Sequence, residues 1–537
     1  MPDAEQTDVV IIGAGPVGLA LAIELGQRNI RCLVIERNDR VGLSPRAKTT
    51  NVRTREHLRR WGIAEKLREA SRLPPDYPSD IIFTTRLNGP LLAKITNAMN
   101  CDPRRNDLYS ESAQWIPQYV LEEVMRAHAV TLPSVEIRFG STYVDAVQDE
   151  CRVTTTVLCN LTGEQQSIRS AYVVGADGSR SNVRETIGAK MEGTHALAQN
   201  YNVQFRAPEL AKLNPHGRAI MYWIINNEIP SVMGPMDDEE HWYFVAPRIA
   251  DTSDLDPKDL IRRATNLDFE MEILGTSPWA AHSLIADKYS EDRIFLAGDA
   301  CHLHPPFGGY GMNMGIADGV DLGWKLAAVL QGWGGPGLLD TYEIERRSVH
   351  QMVIDEAVAN YNALGNHLTL PGLEEPGSVG DATRCEAGDV IFAAKLREFK
   401  TLGVVLGYRY DNSPIIVPDG TAPPVPHAMI YRPSAFPGCL APHIWLGDGT
   451  SLYDHFGPGF TLLASGEEGA DALARAEESA KARNFPLKTL RPRDSRLGRR
   501  YMAKFALIRP DQHVAWRGDV LPEDLDTLFD CVTGENC

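Results

Sequence analysis

Two kinds of hydrophobic pattern open the chain. Val9-Val-Ile-Ile12 is an unbroken β-branched run closed by Gly13, which predicts a buried parallel strand. Apolar residues then return at helical spacing through Val17, Leu21 and Leu25, predicting a helix over 17–28, and residues 31–36 predict a second strand. Downstream, 50–60 predicts a helix ended by Gly62. The stretch 71–108 is rich in proline and reads as irregular, and another helix is expected over 117–128. Residues 135–175 alternate in β-like fashion. Between 199 and 247, the segments YNVQFR, AIMYWII, SVMG and HWYFVA are separated by turn residues and predict an antiparallel sheet. Two long helices are expected over 312–331 and 338–363. A Gly/Pro/Glu-rich linker is expected over 371–381, and 385–537 reads as a separate domain. No internal repeat occurs.

Bulk composition narrows the function classes. The 537 residues are enough for two to four domains, and 43% hydrophobic with 23% charged residues is ordinary for a globular protein. A formal net charge of −17 repels phosphate backbones, so nucleic acid is not an expected partner. Nine cysteines without CxxC spacing suit a reducing compartment. The acidic start of the chain lacks a basic leader, and no apolar run approaches the roughly 18 residues of a membrane span. A cytoplasmic protein without a membrane span is expected.

Three segments carry chemistry. Gly13-x-Gly15-x-x-Gly18 lies between the first strand and the first helix. There the first glycine permits the turn, the second lets backbone approach a pyrophosphate, and the third lets helix pack on strand. Glu36 ends the second strand, placed to hydrogen-bond a ribose hydroxyl. The second segment is Gly175-Ala-Asp-Gly-Ser-Arg180, whose Asp177 also suits a helix cap. The third runs from Arg293 to Asn313: a strand delivers Asp299, a Pro/Gly-rich loop follows, and a helix starting near Gly311 aims its positive end at a ligand.

These segments, in this order, resemble the single-component flavoprotein monooxygenases of the para-hydroxybenzoate hydroxylase type. The segments 407–413, 442–446 and 509–517 resemble the thioredoxin-like domain of the phenol hydroxylase branch. The resemblance implies an α/β fold: a Rossmann-like FAD-binding domain (1–75, 101–190 and 285–375), an inserted antiparallel β-sheet substrate domain (76–100 and 191–284), and a C-terminal thioredoxin-like domain (382–537). It assigns Gly13, Gly15, Gly18, Glu36 and Arg37 to the ADP part of FAD. Arg46 and Gln118 fall to the phosphate and ribityl regions, Asp177 to FAD and NAD(P)H together, and Asp299 to the ribityl chain. Pro306 falls beside the flavin edge, and Gly311, Met312 and Asn313 at the pyrimidine. The resemblance also implies that NADPH or NADH binds transiently, with which the single GxGxxG agrees. A homodimer is implied as well.

The implied reaction is hydroxylation of a phenolic or other aromatic substrate through a flavin C4a-hydroperoxide, consuming NAD(P)H and O2. Where relatives of the phenol hydroxylase branch carry an Asp that assists phenol deprotonation, this chain has Lys48, which suits an anionic substrate group. Tyr222 and Tyr243 complete the expected catalytic set with Lys48 and Pro306. Gln204, Tyr222, Trp223, Met233, Trp242, Tyr243 and His282 are the expected substrate contacts, although strand alternation allows only one of Tyr222 and Trp223 to face the pocket. His302 and His304 lack a third ligand in the sequence, so no metal is expected, and Cys301 reads as packing. Two alternatives are a related flavin enzyme, such as a halogenase or oxidase, and a non-catalytic flavin-binding protein. The spacing from Trp223 to Pro230 does not fit the halogenase Trp-x-Trp-x-Ile-Pro stretch.

Overall fold

The computed structural model describes residues 5–39, 47–236, 238–247, 255–363, 370–466 and 469–535. The first strand, Val9–Ile12, lies at the centre of a six-stranded sheet. Parallel to it run Cys32–Ile35 on one side and Tyr172–Gly175 on the other, with Val135–Arg138 and Ile294–Leu296 outside them. Four of these strands are buried throughout, as the unbroken apolar runs require of a sheet covered on both faces. Helices Pro16–Gly26 and Gly311–Leu330 pack together on this sheet, so that sequence-distant segments share one core.

The middle sheet has eight strands, and its long pair Met191–Arg206 and Glu272–Ala286 is antiparallel. Two of its strands, Ile81–Thr84 and Leu91–Ile95, come from the stretch that reads as irregular in sequence. They are short and flanked by proline, and Leu91–Ile95 pairs with Ile81–Thr84, whose other partner, Met221–Ile224, is far along the chain, so local pattern does not reveal them. That partnership is parallel, an exception within an otherwise antiparallel sheet. At the other edge, His302–Leu303 pairs with Glu272–Ala286 and ties the Asp299 loop to the sheet.

The expected linker opens as a turn but then enters helix Gly377–Phe399, which starts after the extended Pro376 (φ −74°, ψ 159°). This helix lies against strand Leu91–Ile95. A Cβ on Gly388 would sit 2.2 Å from the Leu92 carbonyl oxygen, so only glycine permits so close an approach. The C-terminal sheet runs Leu487–Leu490, Phe460–Ala464, Phe505–Ile508, Val514–Gly518, with one parallel and two antiparallel pairings, in a thioredoxin-like arrangement.

A buried charge cluster joins this last unit to the rest. Arg509 donates to Glu345 (2.6 Å), Asp321 (3.1 Å) and Asp511 (2.7 Å), and Lys325 bridges Asp321 and Glu345. Arg53, on helix Val52–Arg60, donates to the Asp511 carbonyl and to Gln512, both at 2.6 Å. Removing one member would leave its partners charged in a dry interior, which costs about 3–5 kcal/mol. Among the described residues, no helix is long and apolar enough to cross a membrane.

Candidate functional site

The glycine turn is shaped as the sequence requires. Gly13 has φ +105°, and a Cβ there would lie 2.4 Å from the Ala176 carbonyl oxygen; a Cβ on Gly18 would meet the Gly13 carbonyl at 1.9 Å. Above Gly15, by contrast, there is open space, and helix Pro16–Gly26 has neither a side-chain cap nor an acid in its first turn. Its unpaired N–H groups and positive end fit a pyrophosphate. Glu36 accepts from the Ala14 N–H (2.8 Å) and from Asn38, which fixes its carboxylate at the strand end. Arg37 is exposed beside it, and Arg46 lies outside the described residues.

Asp177 lies against this turn and caps the short helix Asn182–Thr186, accepting from the Asn182 N–H at 2.8 Å. Its other oxygen is buried without a hydrogen-bond partner among the described residues, and burial raises its pKa. Both roles read from the sequence, helix cap and ligand acid, remain compatible with this geometry. Gln118 starts helix Gln118–Ala129 with its N–H on the Ala47 carbonyl and its side-chain amide on Glu122 (2.7 Å).

Asp299 lies in the turn Gly298–Ala300, directly after strand Ile294–Leu296. Asp318, on helix Gly311–Leu330, pins that turn by accepting from the Gly298 N–H at 3.0 Å. Its carboxylate also meets His302 (2.7 Å), His350 (2.9 Å) and Arg346 (2.8 Å). Burial opposes ionisation of Asp318, but these neighbours hold its carboxyl well below the usual range, whereas burial pushes His350 down to about 3. Cys301, His302 and Asp318 bring three potential ligand atoms within 4.8 Å, a grouping that sequence spacing did not show. The Asp318 oxygens are already engaged, and burial pushes the Cys301 thiol far up, so the cluster has the character of a structural hub. Sequence reading missed it because its members are joined only by the fold.

Pro306 is exposed on the following loop, and Gly311 and Met312 are partly exposed where helix Gly311–Leu330 begins without a side-chain cap. The Asn313 side chain has a role that the sequence did not announce. Its oxygen accepts from the Asn51 N–H (2.9 Å) and the Thr54 hydroxyl (2.7 Å), and its amide donates to the Thr49 and Gly309 carbonyls. It thereby fastens the segment that follows Lys48 to the helix start. Lys48 itself is partly exposed. Its Nζ lies 4.0 Å from the centre of the Tyr243 ring, and no carboxylate pairs with it among the described residues. Burial lowers its ammonium to about 8.

The middle sheet sorts the expected substrate contacts by face. Tyr243 and Trp223 share the inner face, turned toward Lys48 and the Asp299 loop, with Trp115 and Phe83. Gln204 pairs in register with Tyr243 and lies on that same face, half-buried. Tyr222, Met233 and Trp242 lie on the outer face, packed with Phe244 against helix Pro257–Thr265. Their expected role as pocket residues is therefore corrected, because strand alternation turns them into a separate core. His282 lies at the bulge between the two long strands, accepting from the Ala196 N–H (3.2 Å) beside the His195 ring. The Tyr243 hydroxyl contacts the Ile220 carbonyl (3.4 Å), so the tyrosine offers its ring face to Lys48.

A glycine turn open above Gly15, a second uncapped helix start after a glycine-rich loop, and an aromatic sheet face fit a flavin-dependent enzyme acting on aromatic compounds. Residues 6–357 match the FAD binding domain family, and residues 434–535 match the family described as aromatic-ring hydroxylase, C-terminal. The chain belongs to these FAD-dependent aromatic-ring hydroxylases. It is 32% identical to the aklavinone 12-hydroxylase RdmE of Streptomyces purpurascens, over 97% of this chain and 96% of that protein. It is 30% identical to the phenol 2-monooxygenase of a Pseudomonas species, over 98% and 93%. Among solved structures, RebC soaked with chromopyrrolic acid and holding 7-carboxy-K252c aligns with a TM-score of 0.92 and 35% identity, covering 99% of this chain and 100% of that one. FAD is the cofactor, and NAD(P)H and O2 are the cosubstrates of this family.

Proposed function

We propose that this protein hydroxylates an electron-rich aromatic ring whose anionic oxygen is held by Lys48. The observation that carries this reading is the Lys48 ammonium, partly buried over the Tyr243 ring without a carboxylate partner among the described residues. A desolvated cation of this kind is costly alone and is stabilised by an incoming phenolate or carboxylate. In overall balance, substrate C–H, O2, NAD(P)H and a proton give substrate C–OH, water and NAD(P)+.

In this reading Gly13, Gly15, Gly18 and Glu36 hold the ADP part of FAD, and Asp299, pinned through Asp318, holds its ribityl chain. The N-terminus of helix Gly311–Leu330 faces the pyrimidine end. Bound FAD supplies the reduction and oxygen activation that no side chain can provide. Lys48 orients the substrate and, by favouring its deprotonated form, raises the electron density of the ring. The aromatic inner face excludes water around it.

A panel of phenols, scored for NAD(P)H oxidation coupled to hydroxylated product, tests the reading. Wild type should couple the two for at least one ionisable phenol, and Lys48→Met should lower kcat/KM for it by about 10- to 100-fold, as for loss of a hydrogen bond to a charged group. NAD(P)H oxidation that no phenol accelerates, or a Lys48→Met enzyme with unchanged parameters, would overturn it.

A further inference from the structure

Lys48, partly buried, is one of two lysines lying over aromatic rings of the same sheet face. The other is Lys395, on helix Gly377–Phe399. Its side chain is fully buried, with Nζ 4.3 Å from the Trp223 ring centre and 5.7 Å from that of Phe307, the residue after Pro306. Among the described residues its one charged partner is Glu398, one turn along the same helix and also buried. Burial raises the pKa of the Glu398 carboxyl even with Lys395 beside it.

Such a pair is poorly explained as core. Apolar side chains of similar volume would fill this space at no cost in stability, and often at a gain. The ammonium has three N–H groups and bonds to Glu398, and its Nζ lies 4.3 Å from the Trp223 ring centre and 5.9 Å from that of Phe399. What this site offers a ligand differs from what Lys48 offers. Lys48 presents unmatched positive charge, whereas Lys395 with Glu398 presents a donor and an acceptor with no net charge.

The sheet sets the distance between the two positions. Trp223 pairs with Val232, Val232 with Val245, and Tyr243 is two residues before Val245 on that strand. Two strand spacings across and two residues along separate Trp223 and Tyr243 by about 12 Å between Cα positions. A single benzene ring cannot reach both, but a flat fused-ring system can. Between them on that face lie the apolar side chains of Val232 and Val245.

We infer that the natural substrate is a polycyclic aromatic compound that spans both positions. It carries an acidic group, an ionised phenol or a carboxylate, at Lys48, and a neutral hydroxyl, carbonyl or amide group at Lys395–Glu398. This deepens the hydroxylase reading and rests on it. Lys395 and Glu398 would then determine specificity at the end of the pocket remote from Lys48.

Calorimetric titration of the FAD-loaded enzyme with three probes tests the inference: phenol, 2-hydroxyanthraquinone, and 2,6-dihydroxyanthraquinone, which has a hydroxyl at each end. Wild type should bind the dihydroxy probe roughly tenfold more tightly than the monohydroxy one. The double variant Lys395→Met/Glu398→Leu removes both charges together, so neither is left unpaired. It should bring that ratio to about one, while phenol affinity and FAD content stay as in wild type. If the double variant does not hold FAD, Glu398→Gln gives the same test and should lower the ratio at least about threefold. A ratio near one in wild type, or a ratio retained in the variants, overturns the two-anchor inference and leaves the hydroxylase reading standing. A wild-type holoenzyme that binds none of the three probes overturns both.

Discussion

The two faces of the middle sheet are built from the same strands and differ by one residue of register, yet they do different work. On the outer face, Tyr222, Met233, Trp242 and Phe244 meet Leu260, Ile261 and Ala264 of helix Pro257–Thr265 in a dry apolar core. The polar atoms there are matched: the Tyr222 hydroxyl reaches the Gly217 carbonyl and the Trp242 indole N–H the Glu239 carbonyl. The inner face has aromatic residues as well, but it sets ammonium groups over them. Aromatic density in a strand therefore does not by itself mark a pocket. What distinguishes the inner face, on which the proposed function rests, is charge that packing does not require.

The contrast can be broken by substitution. Trp242→Ala should have the largest effect, a loss of about 3–5 kcal/mol in denaturant unfolding, with KM for an aromatic substrate little changed where the protein remains folded. An unchanged stability would mean that the outer face is not the core described above. Lys48→Met should do the reverse: the loss in kcat/KM expected above should come with equal or greater stability, because a partly buried cation without a carboxylate partner among the described residues is removed.

The pH dependence sharpens the same point. Lys48 loses its proton near pH 8 in the folded protein and near its ordinary value of 10.5 when unfolded. Between these values the unfolded chain binds more protons, so wild type should gain stability relative to Lys48→Met as pH rises through that window. Affinity for an anionic aromatic should fall over the same range, and in Lys48→Met that fall should vanish. Tyr243→Phe should have the smallest effect, under about 1.5 kcal/mol in stability and less than tenfold in kcat/KM. The ring under Lys48 is kept, and only the long contact to Ile220 is lost. A larger loss of activity would give the hydroxyl a chemical role that its position does not suggest.

Much of the fold was legible because it is written locally. The run Val9–Ile12, the glycine spacing to Gly18 and the acid at Glu36 each lie within one supersecondary unit, and the structure forms them as read. The helix before Gly62 and the two long helices after Gly311 follow from periodicity in the same way. What was not legible depends on long-range pairing. Strand Ile81–Thr84 gains its identity from Met221–Ile224, and the inner or outer assignment of Tyr222 and Trp223 required knowing which side the flavin-binding segments occupy. Lys48 could be singled out by its place in a motif. Lys395 had no such signal, since it lies in a helix whose first turn reads as linker and meets Trp223 only through the fold.

The Arg509 cluster has a consequence for the protein while it is being made. Helices Gly311–Leu330 and Thr341–Asn362 bring Asp321, Lys325 and Glu345 into one interior, but their guanidinium partner is encoded more than 160 residues after Glu345. On a ribosome adding about 5–20 residues per second, these helices wait roughly 8 to 30 seconds with an excess of negative charge before Arg509 emerges. A chain cut short before residue 509 would keep every nucleotide-binding motif and still lack this guanidinium, leaving Lys325 as the one cation of the cluster between Asp321 and Glu345.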